Sequence, residues 1–109
     1  MGKYLLVETT DPFDSADVTD AYDLARGLAE EANEVTVYLV QNGVLPLRKN
    51  SAAAGRIAEL AAKSTIVADE FSLRERGITP DEIVEGVRAV PIDTLVDLVA
   101  TDGCKVIWH

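Results

Sequence analysis

The side chains able to do chemistry in this chain are mostly carboxylates, and several stand where aliphatic runs end. Glu8, Asp11 and Asp14 follow KYLLV, Asp69 and Glu70 follow TIVA, and Gln41, Asn42 and Gly43 close the run EVTVYLV. Carboxylates grouped in this way can hold a hard cation such as magnesium. One expectation is therefore a metal-dependent acidic site of Glu8, Asp11 and Asp69, with Asp69 as phosphoacceptor, as in phospho-receiver domains. Such domains also carry a hydroxyl residue after the fourth strand and a lysine after the fifth. Here Ala89-Val90-Pro91 follows Arg88, and Lys105 precedes its strand. The plainer use of carboxylates at these places is as solvated loop residues and helix caps.

Thiol and imidazole chemistry rests on Cys104 and His109, the one cysteine and the one histidine. A single cysteine excludes an internal disulfide, and one of each falls short of a zinc ligand set. Cys104 lies in DGCK, expected at the turn before the last strand. A partly exposed thiol beside Lys105 would have its thiolate favoured, whereas a buried one is a small apolar filler. Arg48 and Lys49, near Arg56, make a compact basic group ahead of a helix N-terminus, where anions are favoured. They are candidate contacts for an anionic ligand or for the acidic face of a partner. No G-x-G or GK[ST] pattern occurs, so nucleotide binding has no motif behind it, and no cofactor is expected.

The whole composition narrows the classes further. With 19 acidic and 10 basic residues the formal charge is −9, which repels phosphate backbones and argues against direct nucleic-acid binding. No apolar run approaches the roughly 20 residues of a membrane helix, and MGKYLLVETTD lacks a signal-peptide pattern, so a cytoplasmic location is expected. A chain of 109 residues, 48% hydrophobic and 27% charged, can close one core without staples.

These residues need elements to position them. KYLLVE (3–8) predicts a strand covered on both faces. From Ser15 the residues Val18, Ala21, Tyr22, Ala25, Leu28, Ala29 and Ala32 follow helical spacing, with Asp14 or Ser15 as cap. EVTVYLVQ (34–41) predicts a second strand, ended by Asn42-Gly43 in left-handed turn geometry. SAAAGRIAELAAKS predicts a second helix with a narrow stripe of Ala53, Ile57, Leu60 and Ala61, weakened at Gly55. TIVADEFSLRERGI (65–78) reads as a third strand over 65–68, a polar loop and a short helix ended by glycine.

Further on, Thr79-Pro80-Asp81-Glu82 carries a capping box with Pro at the first helical position, and Ile78 can staple onto Ile83. Residues 87–90 predict a short fourth strand. Ile92, Leu95, Val96 and Val99 predict the inner stripe of another helix, ended at Asp102-Gly103, and residues 105–108 a last strand. Alternating strands and helices imply a single α/β domain with a mostly parallel five-stranded sheet and helices on both faces. Ligands of such sheets bind outside the strands' carboxyl ends, where the acidic residues gather.

Three separated pieces resemble the DsrE/DsrF/DsrH superfamily of small sulfur-relay proteins, which includes the TusB, TusC and TusD subunits. LVQNGV (39–44) is similar to its aliphatic-QDGV motif. STIVADEFSLRERGI (64–78) is similar to its strand, loop and RG-aliphatic motif. LVDLVATDGCKVIWH (95–109) looks most like the DsrH/TusB branch, while the N-terminal VETTDPFDSADVTDAYDLARGLAE looks more like DsrE. The resemblance implies an α/β oligomer, a trimer or hexamer, homomeric or mixed with DsrE-family or sulfur-transferase partners. It also implies that active members carry persulfide sulfur on a cysteine after the third strand. Counting back from Arg76-Gly77 puts that position at about Asp69, and an aspartate cannot hold a persulfide. The expected role is a non-catalytic subunit, with the helix over 52–62 and the QNGV loop as contacts. The alternatives are a carrier displaced to Cys104 and the receiver-like acidic site.

Overall fold

The computed structural model describes residues 2–11, 13 and 17–109. In chain order the elements are β1 (Lys3–Glu8), α1 (Asp17–Glu30), β2 (Glu34–Leu39), a 3-10 segment (Gln41–Leu47), α2 (Ala54–Ala61), β3 (Thr65–Asp69), α3 (Glu70–Glu75), a 3-10 turn (Pro80–Glu82), β4 (Val87–Val90), α4 (Ile92–Val99) and β5 (Cys104–Trp108). The sheet order is β4-β3-β2-β1-β5. Every neighbouring pair is parallel, with Lys3 opposite Glu34 on one side and Cys104 on the other. The proposed caps Asp14 and Ser15 lie outside the described residues.

The order dictates which face each helix covers. From β1 to β4 the chain steps steadily in one direction, and right-handed crossovers then place α1, α2 and α3 on the same face. The return from β4 to β5 runs the opposite way across the sheet, so α4 lies alone on the other face. The core divides accordingly. Leu6, Val35, Val37, Leu39, Ile66 and Ala68 pack with Val18, Tyr22 and Ala25 of α1, Ile57 and Leu60 of α2 and Leu73 of α3. Leu5, Val7, Tyr38, Val67 and Val90 pack under Leu95 and Leu98 of α4.

This division corrects the stripe expected for α4. Its apolar residues at 92, 95, 96, 98 and 99 contain two overlapping helical stripes, and spacing alone cannot choose between them. The sheet takes Leu95 and Leu98, leaving Ile92, Val96 and Val99 at 51%, 62% and 44% exposure.

Other boundaries shift for local reasons. β2 stops at Leu39, and the expected turn is a 3-10 segment in which Gln41, not Asn42 or Gly43, is left-handed (φ 55°). Gly43 is required by proximity instead, because a Cβ there would lie 2.3 Å from the Glu8 carbonyl oxygen. β3 runs one residue further, to Asp69, and α3 begins at once, so no polar loop intervenes. Glu82 Oε1 does accept from the Thr79 N–H at 3.0 Å, but the helix started there lasts a single 3-10 turn. The chain is then drawn into an antiparallel bridge between Ile83 and Arg48. β5 begins at Cys104, one residue before expectation.

Candidate functional site

The carboxyl ends of the parallel strands form one rim of the sheet, where Glu8, Asp69 and the start of the 3-10 segment all lie. β2 stands between β1 and β3, and the two acids have separate partners.

Asp69 is 4% exposed and caps α3. Its Oδ2 accepts from the Ser72 N–H at 3.0 Å and the Ser72 hydroxyl at 2.7 Å, and its Oδ1 from the Tyr38 hydroxyl at 3.2 Å. Burial, and then the Asp69 carboxylate beside it, push the Tyr38 phenol upward, so it remains a donor. Ser72 Oγ accepts in turn from the Gln41 N–H at 2.8 Å, which ties the end of β2 to the start of α3. The network leaves neither Asp69 oxygen free of a donor, and it accounts for a buried carboxylate without a cation.

Glu8 is 1% exposed. Its Oε1 accepts from the Thr10 N–H at 3.0 Å, and His109 Nδ1 stands 2.6 Å from Oε2, an ion-pair distance. Burial raises the Glu8 pKa, while the Thr10 N–H and then the His109 charge oppose the rise. The His109 backbone N–H donates to the Val7 carbonyl at 2.8 Å, fastening the end of β5 to β1. Tyr22 Oη is buried near this site with no partner among the described residues, and burial, then Glu8 and Asp11, push its phenol upward. Asp11 is buried and turns back on its own loop, Oδ1 accepting from the Phe13 N–H at 3.1 Å.

The candidate acidic residues therefore do not share one set of partners. Glu8 and Asp11 belong to the β1 end, Asp69 to the β2–α3 network, and Glu70 is half-buried on α3. Among the described residues no group of three or more His, Cys, Asp and Glu side chains is placed to hold a metal ion, and β2 stands between Glu8 and Asp69.

Cys104 lies at the opposite end of the sheet, beside Lys3, half-buried against the core under α4. Adjacent strand residues point to opposite faces, and the Lys105 ammonium sits 5.8 Å from the centre of the Tyr4 ring. Arg48 and Lys49 are exposed, and residues 50–53 separate them from α2. Arg48 reaches the Arg76 carbonyl at 3.4 Å, and the Lys49 N–H donates to the Glu82 carbonyl at 2.8 Å. Arg56 is elsewhere, paired with Asp23 of α1.

Residue chemistry alone did not single out Tyr38, Ser72 or Arg76. Ser72 had a signal, since a residue three positions after Asp69 supplies the N–H that an N-cap carboxylate takes. Arg76 donates from Nε and Nη2 to Asn42 Oδ1 at 3.2 and 3.0 Å and from Nη1 to the Ser72 carbonyl at 3.2 Å. The QNG loop and α3 are thus joined twice.

A sequence profile of the DsrE/DsrF-like family matches residues 2–108. No curated protein matches the chain significantly. Among solved structures, MTH1491 from Methanobacterium thermoautotrophicum superposes with a TM-score of 0.87 at 24% identity, both chains fully covered. The ychN protein of E. coli gives 0.87 at 18% identity, again over all of both chains. BT1422 from Bacteroides thetaiotaomicron gives 0.78 at 14%, over 98% of this chain and 95% of the other.

Proposed function

The chain belongs to the DsrE/DsrF-like family, and from that premise we propose that it is a subunit of a sulfur-relay assembly that does not itself carry sulfur. Membership suggests a sulfur-relay-related role. The observation behind the non-carrier reading is the use made of Asp69. Where the family resemblance expects a carrier thiol, this chain has a buried carboxylate whose oxygens cap α3 and hold Tyr38 and Ser72. A carboxylate cannot attack a persulfide sulfur and be attacked in turn.

A carrier relocated to Cys104 is disfavoured by its position, at the far end of the sheet and partly covered by α4. An assembly, homomeric or with other DsrE-like chains, is supported by the apolar outer side of α4, since a helix apolar on both sides is a helix covered on both sides. Its residues Ile92, Val96 and Val99 are exposed, as is Trp108. The contacts expected at the helix over 52–62 and at the QNGV loop have less support. Gly43 and Val44 are buried within the chain, and Ala58 and Glu59 present a small, polar surface.

The test is intact mass after treatment with a persulfide donor, on wild type and Cys104→Ser. The expected result is no sulfur on either protein. Sulfur on wild type that disappears in Cys104→Ser would overturn the reading.

A further inference from the structure

The positive charges of this acidic chain are distributed unevenly. On the α1–α2 side they are neutralised: Arg26 and Arg56 pair with Asp23, and Lys63 with Glu30. At the C-terminal end of α3, Arg48, Lys49 and Arg76 have no carboxylate within ion-pair distance among the described residues, and neither do Lys3, Arg74, Arg88 and Lys105; Arg48 and Arg76 are set apart by their direct contact. Arg48 and Arg76 contact only neutral acceptors, the Arg76 and Ser72 carbonyls and the Asn42 amide oxygen. The nearest carboxylates, Asp81 and Glu82, bond Thr79 and keep their charge beside Lys49 and Arg48. Glu82 Oε1 accepts from the Thr79 N–H and hydroxyl, and Asp81 Oδ1 from the same hydroxyl at 2.6 Å. Asp81 and Glu82 still feel Lys49 and Arg48, which adds to the lowering caused mainly by Thr79.

Capping the C-terminus of α3 accounts for one donor of Arg48 and one of Arg76. It does not account for the gathering of three cations without an ion-pair partner on a chain of charge −9. The side chains are also presented for recognition: Arg48, Lys49 and Asn42 are exposed, and Arg76 is half-exposed with its plane fixed by Asn42. A guanidinium with a fixed plane and unused N–H groups suits carboxylates.

We propose that Arg48, Lys49 and Arg76, with Asn42, form a docking edge for an acidic segment of a partner protein. Elsewhere the negative surface of this chain repels such a segment, so the edge sets where and in which orientation it lands. Identification of the partner as a relay component rests on the subunit reading above; the docking edge itself does not. Asn42 places the edge beside the Gln41–Ser72–Asp69 network.

The experiment is an NMR titration of the full chain with an octaglutamate peptide, an octaglutamine peptide and sodium sulfate at matched ionic strength. Octaglutamate is expected to shift the amides of Asn42, Arg48, Lys49 and Arg76 and to bind about tenfold or more weakly to Arg48→Glu/Lys49→Glu. Arg48→Gln/Lys49→Gln, which avoids new repulsion with Asp81 and Glu82, should show a smaller loss in the same direction. Unmoved rim amides, equal binding by the variants, or equal binding of octaglutamine would overturn the proposal. Sulfate reproducing the shifts and displacing the peptide would overturn it in favour of a small-anion site. The titration involves no sulfur chemistry, so its failure leaves the subunit reading standing, and the persulfide experiment can fail without touching the docking edge.

Discussion

Asp69 holds the N-terminus of α3 and satisfies the buried Tyr38 hydroxyl with one carboxylate. Asp69→Ala removes the cap and strands that hydroxyl, so urea unfolding should show a loss of about 2–4 kcal/mol. Tyr38→Phe removes one donor but leaves Asp69 its two Ser72 bonds, and should cost about 1 kcal/mol. Glu8 behaves differently, because its folded pKa is raised, chiefly by burial. The folded state therefore holds the Glu8 proton more tightly than the unfolded state. This contribution is fully present below the unfolded carboxylate range and is lost as pH rises through the folded value. Glu8→Gln should accordingly match wild type in the acid limit and gain stability relative to it as pH rises toward neutrality. Paired urea titrations at a series of pH values check this, and a gain that shrinks as pH rises would contradict it.

At the scale of elements, the loop after β2 is set by one close approach and two clasps. Gly43→Ala drives a Cβ into the Glu8 carbonyl oxygen and should cost at least the 1–3 kcal/mol typical of overpacking, measured by thermal unfolding. Gly55→Ala in α2 meets nothing within 4 Å and should stabilise by up to about 1 kcal/mol, making it the matched control. α4 offers a second contrast. Leu95→Ala opens the core under α4, whereas Val96→Ser changes a residue that is 62% exposed. The first should lower the stability of the single chain by about 1–3 kcal/mol, and the second should leave it within about 0.5 kcal/mol.

For the whole molecule, the proposed assembly sets exposed apolar surface against charge. Ile92, Val96, Val99 and Trp108 are exposed apolar residues, while copies carrying −9 each would repel. Sedimentation at low and moderate salt should show association strengthening as salt screens that repulsion. Val96→Ser, stable as a single chain, should sediment as the smaller species. Association that weakens with salt would instead assign the interface to ion pairs.

The sequence by itself determined the element types, the parallel α/β class and the placing of acids at strand ends, because these follow from local periodicity, caps and chain order. Hence the capping box at Thr79 and the position of Asp69 just beyond TIVA were legible. Tertiary structure alone decided strand order, and with it the separation of Glu8 from Asp69 by β2 and the return of α4 across the opposite face. It also decided which stripe of α4 turns inward, why Gly43 is glycine, and that Arg48 meets Arg76 rather than α2. Each of these depends on pairing between residues distant in sequence, and a one-dimensional pattern of polar and apolar residues carries no term for it.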